Sequence, residues 1–285
     1  MTSELNAKRD RLLALLADCP GVAVAFSGGV DSAVVAKAAA LALGDRAVAI
    51  TSDSPSVPRA ELAAAIELAA AIGLRHLVLP TQEFDRADYV RNGGDRCYFC
   101  KSELYDRISL ELPKLGLDTV CSGANLDDLG DYRPGLMAAA ERGIRHPLQE
   151  AGFSKADVRA LAKQWELPVW DKPASPCLSS RLAPGVAVTP ERTLRVERAE
   201  AYLKSLGLRD GRVRYHEGDL ARIELPANEL PRYVELDRRS AIAAELKSLG
   251  FRYVTIDLEG FRSGSLNDLV PLEVRRSFAA RSQST

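Results

Sequence analysis

The feature that most constrains this chain is a rhythm. Between Gly21 and Gly123, GVAVAF, AVAIT, RHLVLP and DTVCSG read as short apolar strands. Between them, SAVVAKAAALALG, PRAELAAAIELAAAIG and CKSELYDRISLELPKLG read as helices, with Pro58 near the first turn of the second. Strands separated by helices need crossovers, so the expected fold is α/β: a parallel twisted sheet with helices on both faces. SKADVRALAKQWE continues the pattern as a helix, with Ser154 as N-cap and Asp157 three residues later.

Leu167 to Pro190 holds five prolines and reads as a linker with a task of its own. Beyond it, TPERTLRVERAEAYLKSLG is a helix capped by Thr189, GRVRYHE and ARIELP form a hairpin, RRSAIAAELKSLG is a helix and RYVTIDL a strand. The C-terminal part is therefore a smaller α+β domain. The expected limits are 1–170, a linker at 171–190 and a second domain at 191–285, whose tail RRSFAARSQST is expected to fray. No internal repeat is found.

Charge excludes one class of function. With 38 basic and 39 acidic residues the formal net charge is −1, which argues against a protein built to hold nucleic acid by its phosphates. A local anion site stays open. The apolar stretches carry Lys37 and Glu67 and fit packed helices, so no membrane span is expected. The charged N-terminus reads as helix without an export signal, so a cytoplasmic protein is expected. Five cysteines are then better assigned to metal or catalysis than to disulfides.

FSGGVDS, residues 26–32, falls where a strand ends and a helix begins. Gly28 and Gly29 let backbone approach an anion, the helix start offers N–H groups, and Ser27 and Ser32 add hydroxyls. The lysine of a Gly-Lys-Ser/Thr ending is missing, and so is a G-x-G-x-x-G fingerprint. SGANLDD, residues 122–128, follows the fourth strand and so reaches the same sheet edge. Asp31, Asp127 and Asp128 are hard oxygen donors suited to Mg²⁺ beside phosphates, or else acidic turn residues.

RCYFCK places Cys97 and Cys100 at the opening of a helix, and SPCLSSR places Cys177 among prolines and hydroxyls, four residues before Arg181. That polar, cationic setting suits a thiolate made for attack or metal ligation. If the three thiols meet they can hold a [4Fe–4S] cluster with one iron open; zinc and free thiols are the alternatives. Cys19 and Cys121 read as buried apolar residues. Arg181 reads as a stabiliser of negative charge or as a surface ion pair. Arg212 and Arg214 alternate on a strand and share one face, in a fork geometry suited to phosphate, or else face solvent.

FSGGVDS resembles the phosphate signature of the PP-loop ATP pyrophosphatases, and SGANLDD their second segment. Together with RCYFCK, PCLSSR and DLEGFRSGSLN, in this order over nearly the whole chain, they resemble the LarE family of pyridinium-dicarboxylate mononucleotide sulfurtransferases. The resemblance implies an enzyme in which ATP adenylylates a carboxylate of a small pyridinium mononucleotide and sulfur displaces AMP, giving a thiocarboxylate for the nickel-pincer nucleotide. It implies Mg²⁺, a homohexamer, and site roles for Gly123, Ser180, Arg181 and Glu200, with Arg212 and Arg214 on substrate phosphate. Some members donate sulfur from one cysteine, matching Cys177. Cys97 and Cys100 resemble instead the members with three cysteines and a [4Fe–4S] cluster. The competing classes are a tRNA thiolase, an ammonia-using synthetase and a nucleotide-binding sensor without turnover.

Overall fold

The computed structural model describes residues 3–129, 134–262, 266, 269 and 270. The tail RRSFAARSQST and part of DLEGFRSGSLN lie outside the described residues. In chain order the elements are α1 (Ser3–Ala17), β1 (Val22–Ala25), α2 (Val30–Leu43), β2 (Ala47–Asp53), α3 (Arg59–Ile72), β3 (Arg75–Pro80), α4 (Ala87–Arg91), α5 (Arg96–Leu115) and β4 (Thr119–Cys121). They continue with α6 (Pro134–Ala140), α7 (Pro147–Glu150), α8 (Lys155–Gln164), α9 (Pro190–Ser205), β5 (Arg212–His216), β6 (Leu220–Glu224), α10 (Leu230–Val234), α11 (Leu236–Ser248) and β7 (Tyr253–Ile256).

Two compact units emerge. Residues up to Gln82 and Cys97–Ser175 form the first; Glu83–Arg96 and the described residues from Pro176 onward form the second. The division falls inside the proline-rich stretch. That Glu83–Arg96 groups with the second unit is nowhere announced by its composition.

The first unit is the parallel sheet. Its order is β3-β2-β1-β4, with Val22 beside both Ala47 and Thr119. Alternation sorts the side chains. Val22, Val24, Ala47 and Ala49 pack into a core with α1, α2, α3 and α8, whereas Ala23, Ala25, Val48 and Ile50 pack with Leu104, Tyr105 and Ile108 of α5. Helices therefore cover both faces, as the strand–helix rhythm demands. α2 is apolar all round because it lies buried between other helices. Ser154 and Asp157 form the expected capping box at the start of α8.

The chain leaves β1 toward β2 and β3 on one side and returns to place β4 on the other. The loops after β1 and β4 are thus neighbours at the carboxyl edge, where open α/β sheets bind ligands. The second unit holds the sheet β5-β6-β7, with β5–β6 antiparallel and β6–β7 parallel, and the helices α9 and α11.

Candidate active site

In the first unit, Ser27–Ser32 wraps into a closed cradle. Ser32 Oγ donates to Gly29 O (3.1 Å) and accepts from the Ser27 N–H (3.2 Å), and the two serine hydroxyls lie 3.2 Å apart. Gly28 has φ +70°, and a Cβ there would sit 3.0 Å from the Ala65 Cβ. Only glycine fits without strain. Gly29 opens α2 with no side-chain cap, so the first N–H groups of that helix remain available to an anion.

The loop after β4 closes on this cradle. A Cβ at Gly123 would lie 2.7 Å from the Ser32 nitrogen and 2.9 Å from the Asp31 carbonyl carbon, so that glycine permits the approach. Asn125 Nδ2 donates to Asp31 Oδ1 at 3.0 Å, while its own oxygen accepts the Asp127 N–H at 2.9 Å. Asp128 Oδ2 accepts the Asn125 N–H at 3.0 Å. Lys155, at the start of α8, forms an ion pair with Asp31 Oδ2, and its backbone N–H donates to Asp127 Oδ2 at 3.0 Å. Ser122 Oγ lies 2.7 Å from His146 Nδ1, and burial holds that imidazole below its ordinary value.

The thiols divide by exposure. Cys97 is exposed and Cys100 half-buried, one helical turn apart on α5 in the first unit; Cys177 is half-buried in the second. Cys121 is buried, and burial pushes its thiol up to about 12. Cys19, also buried, is more than a small hydrophobe, since Arg145 Nη1 donates to its sulfur at 3.1 Å. Within either unit, no three His, Cys, Asp or Glu side chains among the described residues are gathered around a metal position. The accessible pair on α5 is still the right donor chemistry for a soft metal or cluster.

In the second unit Cys177 caps a short 3₁₀ turn, Leu178–Arg181. Its carbonyl accepts from the Ser180 N–H (3.0 Å), Ser180 Oγ (2.6 Å) and Arg181 Nη1 (3.1 Å). Arg181 also donates to Pro176 O, and its fork meets Glu200 at 3.0 and 3.2 Å. Arg181 is 2% exposed and Glu200 8%. This is a buried pair rather than a surface one, and mid-helix Glu200 faces inward to reach it.

Arg214, equally buried, donates to Glu224 at 2.8 Å and to Ser180 O at 3.3 Å. Glu224 has no exposed surface and also accepts from Arg222 at 3.0 Å. Arg212 shares that strand face, stacks over Phe261 at 5.1 Å and donates to Gly211 O. Burial pushes its guanidinium below the ordinary value, and nearby Arg181 and Arg214 add to that. Three guanidinium groups thus crowd one place, two of them paired with the carboxylates of Glu200 and Glu224.

The segment before Cys97 supports this loop from within the second unit. Tyr89 OH and Ser179 Oγ meet, buried, at 2.7 Å. Asn92 Nδ2 donates to the carbonyls of Ala183 (2.8 Å) and Val186 (3.0 Å), and the Val188 N–H donates to Val90 O. Lys155, Asn125, His146, Tyr89, Asn92 and Glu224 escape a reading by motif. Asn125 sits inside SGANLDD; Lys155, His146, Tyr89 and Asn92 contact residues far away in sequence, and Glu224 meets Arg214 across the β5–β6 hairpin.

Known proteins bear on this arrangement. The NAD synthase family model matches residues 14–98, the stretch that contains the phosphate cradle. The chain is 46% identical to the uncharacterized protein slr1717 of Synechocystis, over 92% of this chain and 98% of that one. It is 40% identical to the pyridinium-3,5-bisthiocarboxylic acid mononucleotide synthase of Lactiplantibacillus plantarum, over 96% of this chain and 99% of that enzyme. A tRNA-specific 2-thiouridylase of Azorhizobium caulinodans is 30% identical over 54% of this chain and 49% of its own. The likeness to the synthase runs the length of both proteins, and the chain belongs to the LarE family of pyridinium-3,5-bisthiocarboxylic acid mononucleotide synthases, ATP-dependent sulfurtransferases of the PP-loop fold.

Proposed function

We propose that the chain converts the carboxylates of a pyridinium-3,5-dicarboxylate mononucleotide to thiocarboxylates, a step toward the nickel-pincer nucleotide, in the cytoplasm and as a homohexamer. The observation that carries this reading is the 40% identity to the Lactiplantibacillus synthase across nearly all of both chains. A likeness confined to the phosphate cradle would support ATP use alone.

The chemistry follows from the groups present. A carboxylate resists attack because its oxygen leaves poorly; adenylylation replaces that oxygen by AMP, a good leaving group. Ser27, Gly28, Gly29 and Ser32, with Gly123 behind them, would hold ATP phosphates through N–H and hydroxyl donors, a role that the closed loop geometry supports. Asp31, Asp127 and Asp128 are the carboxylates that would hold Mg²⁺, whose charge neutralises the departing pyrophosphate. Arg212 and Arg214 bind the phosphate of the mononucleotide. Arg181 and Glu200 hold the Cys177 turn in one geometry, and Ser180 fixes the carbonyl of Cys177.

Cys97, Cys100 and Cys177 would hold the [4Fe–4S] cluster, which would supply sulfur at the sulfide level. The accessibility of these three thiols, against the burial of Cys19 and Cys121, supports that set over the other two. Direct donation from Cys177 is the alternative sulfur source.

The test is product formation by anaerobically prepared, iron-loaded protein given ATP, Mg²⁺ and the dicarboxylated mononucleotide. Pyrophosphate release that requires the mononucleotide, with a thiocarboxylate in the product mass, is expected. Release that requires tRNA instead would favour thiolation of RNA, the activity in the name of the partly similar Azorhizobium protein. An intact Cys177 peptide after turnover supports the cluster as carrier; dehydroalanine at that position would make Cys177 the donor.

A further inference from the structure

We propose that Arg159 and Glu61 are positioning residues for sulfur transfer. They anchor the stem of the Cys177 loop, Trp170 to Lys172, to the two helices that also touch the phosphate cradle. The anchor keeps the tether to Cys177 short, so that an activated carboxylate meets sulfur before it meets water. The inference rests on the reading of the chain as an adenylylating sulfurtransferase.

The stem has no regular structure to hold it. No helix or strand runs from Trp170 to Cys177, and Pro173 and Pro176 have no N–H to give. Side chains from elsewhere supply the partners. Arg159 of α8 donates from Nη1 to Trp170 O at 2.9 Å and from Nη2 to Lys172 O at 3.0 Å. A planar fork suits two carbonyls as a single ammonium does not. Lys172 Nζ in turn donates to Glu61 in the first turn of α3 at 2.7 Å. Lys163, one turn beyond Arg159, covers the Trp170 ring at 4.6 Å. Like charges at that spacing disfavour a bare helix, and here each has a partner on the stem.

Both helices lead to the cradle. Ala65, one turn after Glu61 on α3, is the residue that a Cβ on Gly28 would strike. Lys155, one turn before Arg159 on α8, pairs with Asp31. All of these residues belong to the first unit, so the stem is fixed in the frame of the nucleotide site. Beyond it, residues 173–176 are exposed. Lys172 stands five residues before Cys177, a reach of at most about 17 Å. With the anchors gone, the nearest fully buried attachment is Leu167, ten residues back, and the reach grows to about 34 Å. Doubling a flexible tether lowers the local concentration of its end about threefold. An adenylylated carboxylate that meets no sulfur is taken by water, which returns the carboxylate and releases AMP.

The experiment follows two products of full-length, anaerobically prepared, iron-loaded protein given ATP, Mg²⁺ and the dicarboxylated mononucleotide. Pyrophosphate counts adenylylation, and thiocarboxylate counts sulfur transfer. Arg159→Met and Glu61→Gln should keep pyrophosphate release within about twofold of wild type and lower thiocarboxylate per pyrophosphate about threefold or more. Glu61→Lys should lower that ratio too, and adding Lys172→Glu to the same chain should restore it, which a general loss of stability would not do. Should the Arg159 variant fail to fold, the Glu61 variants carry the test, since both side chains of that pair are partly exposed.

An unchanged ratio in the variants, or a fall of both products together, overturns the positioning role. The wild-type protein separates the two layers. If it releases no pyrophosphate that depends on the mononucleotide, the sulfurtransferase reading falls and takes this proposal with it. If it forms thiocarboxylate and the variants match its ratio, only the stem has been misassigned.

Discussion

The phosphate cradle and the Cys177 turn are both small loops, yet they are held in place by opposite means. The cradle is held by backbone: a positive-φ glycine, a second glycine at Gly123 in the neighbouring loop, and hydroxyls bonded within six residues. The Cys177 turn is held by charge. Buried guanidinium groups from the turn and from β5 close onto carboxylates from α9 and β6. Breaking a backbone-built loop perturbs it locally, whereas breaking a charge-built loop strands an ion in the interior.

The sharpest way to test that contrast is Glu200→Ala. It leaves Arg181 buried without its carboxylate and frees the Val213 N–H as well. Removing one partner of such a pair costs about 3–5 kcal/mol, so a large drop in the urea midpoint of the unfolding transition is expected. A loss under about 1 kcal/mol would show that the pair behaves as a surface one, and the contrast would collapse.

Asn92→Ala comes next. It removes the amide that donates to Ala183 and Val186, all buried, and orphaned acceptors there cost about 1–3 kcal/mol. Because the supported segment begins six residues after Cys177, alkylation of Cys177 by a small reagent should also quicken. An unchanged alkylation rate would mean that the segment does not restrain the turn.

In the cradle, Gly28→Ala combines a φ of +70° with contacts of 3.0 and 3.1 Å to Ala65, a cost of about 1–2 kcal/mol, together with weaker nucleotide binding. Gly29→Ala is the matched control. Its nearest atom would be Ser27 Oγ at 3.4 Å, and its φ is −83°, so stability should hardly change. Equal effects at the two positions would show that backbone conformation is not what builds the loop.

The same contrast explains what could be read from the chain alone. β1 to β4 and the helices between them follow from local apolar pattern, and the cradle follows because a tight turn needs its glycines contiguous. The capping box at Ser154 and the Thr189 cap are legible for the same reason. Glu200 could not be told from an exposed helical charge, because its partner lies 19 residues away and burial is a property of the packed chain. Nor could Glu83–Arg96, interposed between a strand and a helix of the sheet, reveal from its composition that it groups with the second unit. Lys155 is hidden the same way, since nothing near it in sequence points to Asp31.

The smallest expected effect is one of pH, and it touches both units. Burial holds His76 and His146 of the first unit and His216 of the second below the ordinary imidazole value. Nearby Arg222 adds to the shift of His216, whose Nε2 finds no partner among the described residues. The unfolded chain takes up protons on these residues below about pH 6.5, while the folded chain resists until lower pH. Proton uptake then favours unfolding, so stability is full above that value and falls as the pH drops through it. Asp157 and Asp219, whose carboxyls are held down by hydrogen bonds and neighbouring cations, lose their contributions only below about pH 4 and lie outside this window. Urea midpoints should therefore decline from pH 7.5 to pH 5.5, and His146→Asn, which keeps a partner for Ser122, should flatten part of that slope. A midpoint that rises on acidification would require the imidazoles to be stabilised as cations, and for His216 that would put a third positive charge beside Arg214 and Arg222.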